Sequence, residues 1–329
     1  MEQMLLEINH LKSYFFTRKG VSPAVDDVSI RVPKGKIVGI VGESGCGKSM
    51  TAKSVMDLLK YPGRVVEGEI LLEGRDLTKL SAKEKRKVRG EDVSMIFQEP
   101  MTSLNPVVKV GKQVREAILI HQKTDKAEAK KRVLEVFREV GISEPEKRYD
   151  CYPHELSGGL RQRVMIAMAM VCRPKLMIAD EPTTALDVTI EAQILKLIKN
   201  LCATTGMSCL LISHNLGVIA QMCDYVYVMY AGKIVEQGDV YTIFDRASHP
   251  YTKGLLASVI HLDTPQTGHL STIPGVVPNL MHLPAGCAFC GRCQEAVGRC
   301  RAEKPELYEL GNGHASRCFL SIESEAIHE

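Results

Sequence analysis

The chain has 329 residues, 45% of them apolar, which is enough to bury one large core and carry a further module. A net charge of +3 makes no electrostatic case for nucleic acid as a partner. Residues Met1 to Leu11 hold neither a basic leader nor a long apolar stretch, and the longest apolar run, Val164 to Cys172, falls far short of the ~20 residues that span a bilayer. Neither export nor a membrane span is expected.

Residues 5 to 35 alternate short strand-like pieces, such as Val28 to Val32, with turns near Gly20 and at Pro33-Lys34-Gly35, an antiparallel pattern. Tyr14, Phe15 and Phe16 stand together in a chain with 5% aromatic residues; stacking on a purine and packing in a core fit their spacing equally well. Next comes an apolar run, Ile37 to Val41, that reads as a buried strand, and after a loop Met50 to Leu59 reads as a helix. The loop itself, Gly42-Glu43-Ser44-Gly45-Cys46-Gly47-Lys48-Ser49, meets the pattern G-x-x-x-x-G-K-[ST] at every fixed position. Its glycines let backbone N–H groups curl around a β-phosphate, the helix start at Met50 adds partial positive charge, Lys48 reaches the β- and γ-phosphates, and Ser49 is placed for Mg²⁺. Cys46 fills a variable slot as a small residue.

Gly68 to Gly74 reads as a strand, the basic stretch Lys79 to Arg89 as a solvated helix face, and Val93 to Phe97 as a strand that ends at Gln98. Residues 106 to 172 read as a largely helical block, with Val133, Val136, Phe137 and Val140 at helix spacing and Gly141 as a stop. Within it, Leu156-Ser157-Gly158-Gly159-Leu160-Arg161-Gln162-Arg163 sets a serine and two glycines at the start of an apolar helix, offering free N–H groups to an anion; a capped helix and nothing more fits the same residues.

Leu176 to Ala179 is a buried strand ending in Asp180-Glu181, and Ile190, Ile194, Leu197, Ile198 and Leu201 mark the inner face of the next helix. Ser208 to Ser213 is a further strand with His214 at its C-terminal end. In open α/β sheets ligands sit at that edge, so Lys48, Asp180, Glu181 and His214 are expected to converge. The paired acids divide the chemistry: Asp180 holds Mg²⁺ through water, and Glu181 orients and deprotonates the water that attacks a γ-phosphate. A hairpin follows from Tyr225 to Gln237, turning at Ala231-Gly232-Lys233, and beyond residue 240 the composition shifts toward Pro, His, Gly and Cys. The eleven cysteines are uneven along the chain, five lying between Cys287 and Cys318, a distribution that suggests metal rather than disulfides.

Taken together these residues resemble the ABC ATPase family over nearly the whole chain. The resemblance implies an α/β P-loop (RecA-like) ABC nucleotide-binding domain with antiparallel β and helical subdomains, over 1–240 with the helical part at about 106–172, and a C-terminal extension over 241–329. It makes Leu156 to Arg163 the signature sequence, Gln98 the Q-loop glutamine that joins the γ-phosphate and Mg²⁺, Ala185-Leu186-Asp187 part of the D-loop and His214 the switch histidine. Phe15 best matches the adenine-stacking aromatic, with Tyr14 next to it as the second choice. Ser157, Gly158 and Gly159 of one cassette then close over ATP held by the phosphate loop of a second cassette, usually in this branch a related but different chain. Leu160 departs from the glutamine that many members have, as the oligopeptide branch commonly does.

Phe97 to Pro106, Val164 to Ala169, His249 to Leu256 and the stretch from Ile273 through Cys293 are similar to dipeptide/oligopeptide and nickel import subunits. That branch implies two integral membrane permease subunits, an extracytoplasmic substrate-binding protein acting indirectly, and a peripheral place on the cytoplasmic face of the cell membrane. It also associates four cysteines with a [4Fe–4S] cluster, here Cys287, Cys293, Cys300 and Cys318, while Cys287-x₂-Cys290-x₂-Cys293 makes Cys290 an alternative ligand. Four thiolates suit tetrahedral Zn²⁺ as well, and spacing does not separate the two; free thiols in a reduced compartment are the third reading. Against a soluble ABC ATPase of repair or translation stand the missing long coiled coil and the missing second cassette. A cluster-dependent sensor would use the same cysteines and have no membrane partner.

Overall fold

The computed structural model describes residues 3–98, 103–184, 186–258 and 273–325. Among these the strands are, in chain order, β1 (Met4–Thr17), β2 (Gly20–Pro33), β3 (Ile37–Val41), β4 (Gly63–Leu72), β5 (Arg75–Asp76), β6 (Val93–Ile96), β7 (Leu176–Asp180), β8 (Ser208–Ser213), β9 (Tyr225–Tyr230), β10 (Lys233–Asp239), β11 (Tyr308–Glu309) and β12 (Ala315–Ser316). The chain folds into two compact units that alternate along the sequence, one of Met1–Leu5, Pro33–Lys36 and Lys79–Leu210, the other of Leu6–Val32, Ile37–Thr78 and Leu211–Glu329. It passes from one to the other within β8.

The first unit carries β6 and β7 as a parallel pair, Val93 opposite Leu176 through Ile96 opposite Ala179, with β8 on the far side of β7. All residues of β6 and β7 are buried, so β7 reads as an apolar run up to Asp180, and β6 as one broken only by the buried Ser94. Helices Val110–His121, Lys126–Glu139 and Gly158–Met170 pack on one another through Val114, Ile118, Val133, Phe137 and Ile166. Gly141, at φ +73°, turns the chain after the second of these. In the helix Val188–Thr205 the buried face is Ile194, Leu195, Ile198, Leu201 and Cys202; Leu195 takes the place expected of Leu197, which is half-buried. The basic stretch is an exposed helix, Ala82–Glu91, closed at its start by a Ser81–Glu84 capping box.

In the second unit, β2-β1-β4-β5 form a four-stranded sheet in which β1 runs antiparallel to β4. The expected short pieces are two 14-residue strands, because positive φ at His10 and Asp27 and a register shift near Lys12 break the alternation without ending the strands. β3 pairs in parallel with β9, and the antiparallel hairpin β9–β10 turns through Ala231 and Gly232, both at positive φ. The tail adds β12 and then β11 to the edge of β10. The helix after the phosphate loop spans Lys48–Val55, shorter than its apolar pattern, and Asp57 beyond it sits at φ +51°. Among the described residues no helix is long and apolar enough to cross a membrane.

The tail is held by a buried carboxylate. Glu236 on β10 is fully buried and accepts hydrogen bonds from Ser248 N (2.6 Å), His249 N (3.1 Å) and His314 Nε2 (2.8 Å). His249 caps the helix Pro250–Ala257 by accepting from Tyr251 N at Nδ1, 3.0 Å away, so that ring nitrogen must be unprotonated. Burial holds its pKa down at about 4, against the pull of Glu236. A depressed histidine pKa contributes stability that is fully present above about pH 6.5 and is lost as pH falls toward 4, on the order of 3 kcal/mol here. Urea midpoints at pH 7.5 and pH 5 are therefore expected to separate in the wild type and to draw together in His249→Asn, which keeps a capping oxygen but does not titrate; equal separation in both proteins removes His249 as the source.

Candidate functional site

The phosphate loop follows β3 and opens the helix Lys48–Val55, the strand-loop-helix order its motif requires. Two glycines show why side chains are excluded. Gly42, at φ +155°, lies against Met229 O, and Gly47, at φ +113°, lies against Ala24 O, so a Cβ at either would collide with backbone. Lys48 is 5% exposed and its Nζ donates to Gly42 O (2.6 Å) and Glu43 O (3.0 Å), which places the ammonium in the concave face of the loop. Ser49 and Met50 follow in the first turn, both half-buried. Ser44 and Gly45 form the open rim of the loop, and Gly45 has nothing within reach of a Cβ. Cys46 is fully buried and burial raises its thiol pKa, so it behaves as a small core residue.

The three adjacent aromatics are separated by their partners. Tyr14 Oη donates to Asp26 Oδ1 at 2.8 Å, and burial together with that contact pushes its pKa up to about 12. Phe16 is half-exposed beneath Arg64, whose guanidinium lies 4.5 Å from the ring centre. Phe15, half-buried, pairs with Gly63 across β1 and β4, where a Cβ would strike its ring at 2.6 Å.

In the other unit, Asp180 is buried at the end of β7 and Glu181 follows at φ +47°, a strained value for a side chain of this size. Glu181 Oε2 accepts from Gln98 Nε2 and from Thr184 Oγ1, each at 3.0 Å. Thr184 was not singled out by spacing; its position three residues after the second acid is the signal that would have found it. Ser157, exposed, caps the helix Gly158–Met170 by accepting from Leu160 N at 3.4 Å, and Gly158 and Gly159 form its first turn beside Leu186 and Ile190. Gln162 reaches from that helix to Pro182 O, tying the signature to the segment after Glu181. Asp187 caps the helix Val188–Thr205, whereas Ala185 of the same motif and residues 99–102 of the Phe97–Pro106 stretch lie outside the described residues. His214 is exposed at the end of β8, in the same unit as Lys48, next to Asn215, which caps the helix Leu216–Met222.

The five tail cysteines come from three stretches that fold together. Cys287 N donates to Cys300 O (2.8 Å), Cys290 N to Cys287 O (3.1 Å) and Cys293 N to Phe289 O (3.0 Å). Burial pushes the Cys287 thiol up to about 11, and Cys300, Cys290 and Cys318 add to the shift; burial also raises Cys293 and Cys318. Among the described residues, no group of three or more His, Cys, Asp or Glu side chains is gathered as metal ligands. The thiols are soft donors of the right kind, yet they do not stand as a closed ligand set.

Comparison with known proteins bears on both halves of the chain. A family described as ABC transporter matches residues 25–184, and one described as the oligopeptide/dipeptide transporter C-terminal region matches residues 235–300. The oligopeptide transport ATP-binding protein AppD of Bacillus subtilis is 49% identical over 323 residues, 98% of this chain and 98% of its own. The chain belongs to the ABC transporter ATP-binding family. The dipeptide transport ATP-binding protein DppD of Escherichia coli is 46% identical over 97% of each chain. Among solved structures, the cassette cbiO1 of Clostridium perfringens is 27% identical with a TM-score of 0.64, covering 74% of this chain and 92% of its own. The dimeric bacterial ABC transporter cassette MJ0796 is 25% identical with the same TM-score, 0.64, over 71% of this chain and 98% of its own. The fold is that of ABC ATPase cassettes, as the sequence resemblance implies, and the family makes this chain an ATPase.

Proposed function

We propose that this chain is the ATP-hydrolysing subunit that energises import of di- or oligopeptides through an ABC transporter, with an ATPase domain over 1–240 and a C-terminal extension over 241–329. The observation that carries it is the end-to-end match to AppD and DppD, which runs through the tail as well as the ATPase core; their names favour peptide over nickel as cargo. In this reading the loop Gly42 to Ser49 and Met50 hold the phosphates of ATP, Lys48 carries the countercharge, and Phe15 stacks on the adenine. Phe15 is preferred over Tyr14 because the Tyr14 hydroxyl is committed to Asp26. Ser49, Gln98 and Asp180 are oxygen donors suited to Mg²⁺, which neutralises charge on the β- and γ-phosphates when bound. Glu181 takes the proton of the attacking water, held in place by Gln98 and Thr184, and His214 senses the γ-phosphate.

Ser157, Gly158 and Gly159 serve a second cassette, with their helix N-terminus facing its nucleotide. MJ0796 is described as a dimer, which supports that arrangement. Splitting the site makes hydrolysis depend on closure, and closure moves the membrane partners: two permease subunits, fed by an extracytoplasmic binding protein, with this chain peripheral on the cytoplasmic side. Co-expression with permease subunits of the peptide-importer type from the same genome tests this. Co-purification with them, and ATP hydrolysis that rises when binding protein and peptide are added, is the expected result; an ATPase that never associates with membrane subunits overturns it.

Cys287, Cys293, Cys300 and Cys318, with Cys290 as a further donor, are the ligands this reading assigns to a [4Fe–4S] cluster, with Zn²⁺ the alternative. Support comes from the donor chemistry and the folding together of the three stretches. Because burial raises the Cys287, Cys293 and Cys318 thiols, loading must displace their protons and is expected to weaken as pH falls. Anaerobically purified protein should be brown with about four iron atoms per chain. One zinc and no colour gives the site to Zn²⁺, and neither metal removes it.

A further inference from the structure

Glu43, a variable position of the phosphate loop, is gripped from outside the motif. Arg292 Nη1 and Nη2 donate to its two carboxylate oxygens at 2.7 and 2.9 Å, a bidentate pair in which the Arg292 side chain is only 7% exposed. The backbone N of Glu43 donates to Tyr251 Oη at 2.8 Å, and its backbone O accepts from Lys48 Nζ. Cys46 N also donates to that backbone O, at 3.4 Å, so every polar group of Glu43 is engaged, and two of its four partners, Arg292 and Tyr251, come from beyond residue 240. Those partners are themselves fixed. Arg292 Nε donates to Pro274 O at 2.8 Å, and Phe289, buried between Tyr230 and Tyr251, starts the turn whose carbonyl accepts from Arg292 N and Cys293 N.

From this geometry we infer that Arg292 and Tyr251 are positioning residues of the ATP site: the cysteine-rich tail sets the conformation of the phosphate loop through Glu43 and so sets nucleotide affinity. The inference rests on the phosphate loop being the ATP site. Its physical basis is preorganisation. Lys48 spends its donors on Gly42 O and Glu43 O, so the place of Glu43 fixes where the ammonium sits, and a loop free to shift must be ordered again each time nucleotide binds. Phosphate-loop residues alone leave Glu43 as a solvated glutamate; a buried guanidinium fork aimed at it has no such reading. Arg292 also lies between Cys290 and Cys293, so rearrangement of that segment acts on the loop directly.

The test is ATP·Mg titration by calorimetry on the full chain, at a temperature well below each variant's melting point. Arg292→Ala is expected to weaken ATP binding about tenfold. Arg292→Lys should recover only part of this, since one ammonium does not span both oxygens, and Glu43→Ala combined with Arg292→Ala should cost little more than either alone. Tyr251→Phe keeps the packing of the ring, removes only the acceptor for Glu43 N, and should weaken binding severalfold. A purely structural role lowers the melting temperature of these variants and leaves the affinity of the folded protein alone. Affinities within twofold of wild type for Arg292→Ala and Tyr251→Phe, or additive effects in the pair, overturn the inference while a wild type that binds ATP in a Lys48-dependent way leaves the site reading standing. Wild-type protein that binds no ATP overturns both.

Discussion

Replacing Glu181 by glutamine is expected to lower ATP turnover by about 10²- to 10⁴-fold and leave ATP affinity within twofold of wild type. The substitution is close to isosteric. A glutamine oxygen still accepts from Gln98 Nε2 and Thr184 Oγ1, the two donors that hold Oε2 at 3.0 Å, so the strained backbone at φ +47° keeps its supports. In the proposed role of Glu181, what is lost is the negative charge that would draw a proton from the attacking water as the γ-phosphate leaves. A residue that contributes only to the transition state changes kcat and spares binding. The variant is also expected to accumulate as a closed pair of cassettes in ATP·Mg, visible as a dimer by size-exclusion with light scattering, because closure precedes the blocked step. Hydrolysis at the wild-type rate would remove Glu181 as the base, and Thr184→Ala, which deletes one support and keeps the charge, should fall between the two proteins.

The parts of this site that a sequence displays are those whose geometry is made locally. Gly42, Gly47 and Lys48 lie within seven residues, and the collisions that a Cβ would cause at the two glycines explain why the pattern tolerates nothing else there. The strands β6, β7 and β8 were equally plain, because burial on both faces leaves short runs that are mostly apolar, with Ser94 inside β6 and serines only at the two ends of β8. Length was harder. β1 and β2 continue through His10 and Asp27 at positive φ, and a bulge of that kind looks like a strand end when only alternation is counted. The helix after the phosphate loop goes the other way, stopping at Val55 although Leu58 and Leu59 keep the apolar spacing. Least legible was the link between Arg292 and Glu43, 249 positions apart, for which no local periodicity exists. Arg292 belonged to a recognisable tail pattern, but its partner is a matter of tertiary folding.

Lys48→Ala is expected to weaken ATP·Mg binding by about 10²-fold or more, the cost of removing one partner of a buried, hydrogen-bonded charge pair. The two effects of this change act in different places. In the folded protein Lys48 Nζ bonds Gly42 O and Glu43 O, so its loss leaves two loop carbonyls short of a donor and is expected to cost about 1–3 kcal/mol of stability. The loss of affinity is expected to come instead from the missing countercharge to the β- and γ-phosphates in the proposed site, and to grow with the charge of the ligand. Comparing ATP with AMP separates the two: a loop that is merely loosened weakens both alike, whereas a lost ammonium weakens ATP far more. Lys48→Arg keeps the charge but places a planar fork where a compact ammonium fits between two carbonyls, so it should recover little of the binding. If Lys48→Ala binds ATP as tightly as wild type, the phosphate loop is not the nucleotide site, and the Glu43 clamp and the Glu181 assignment lose their basis together.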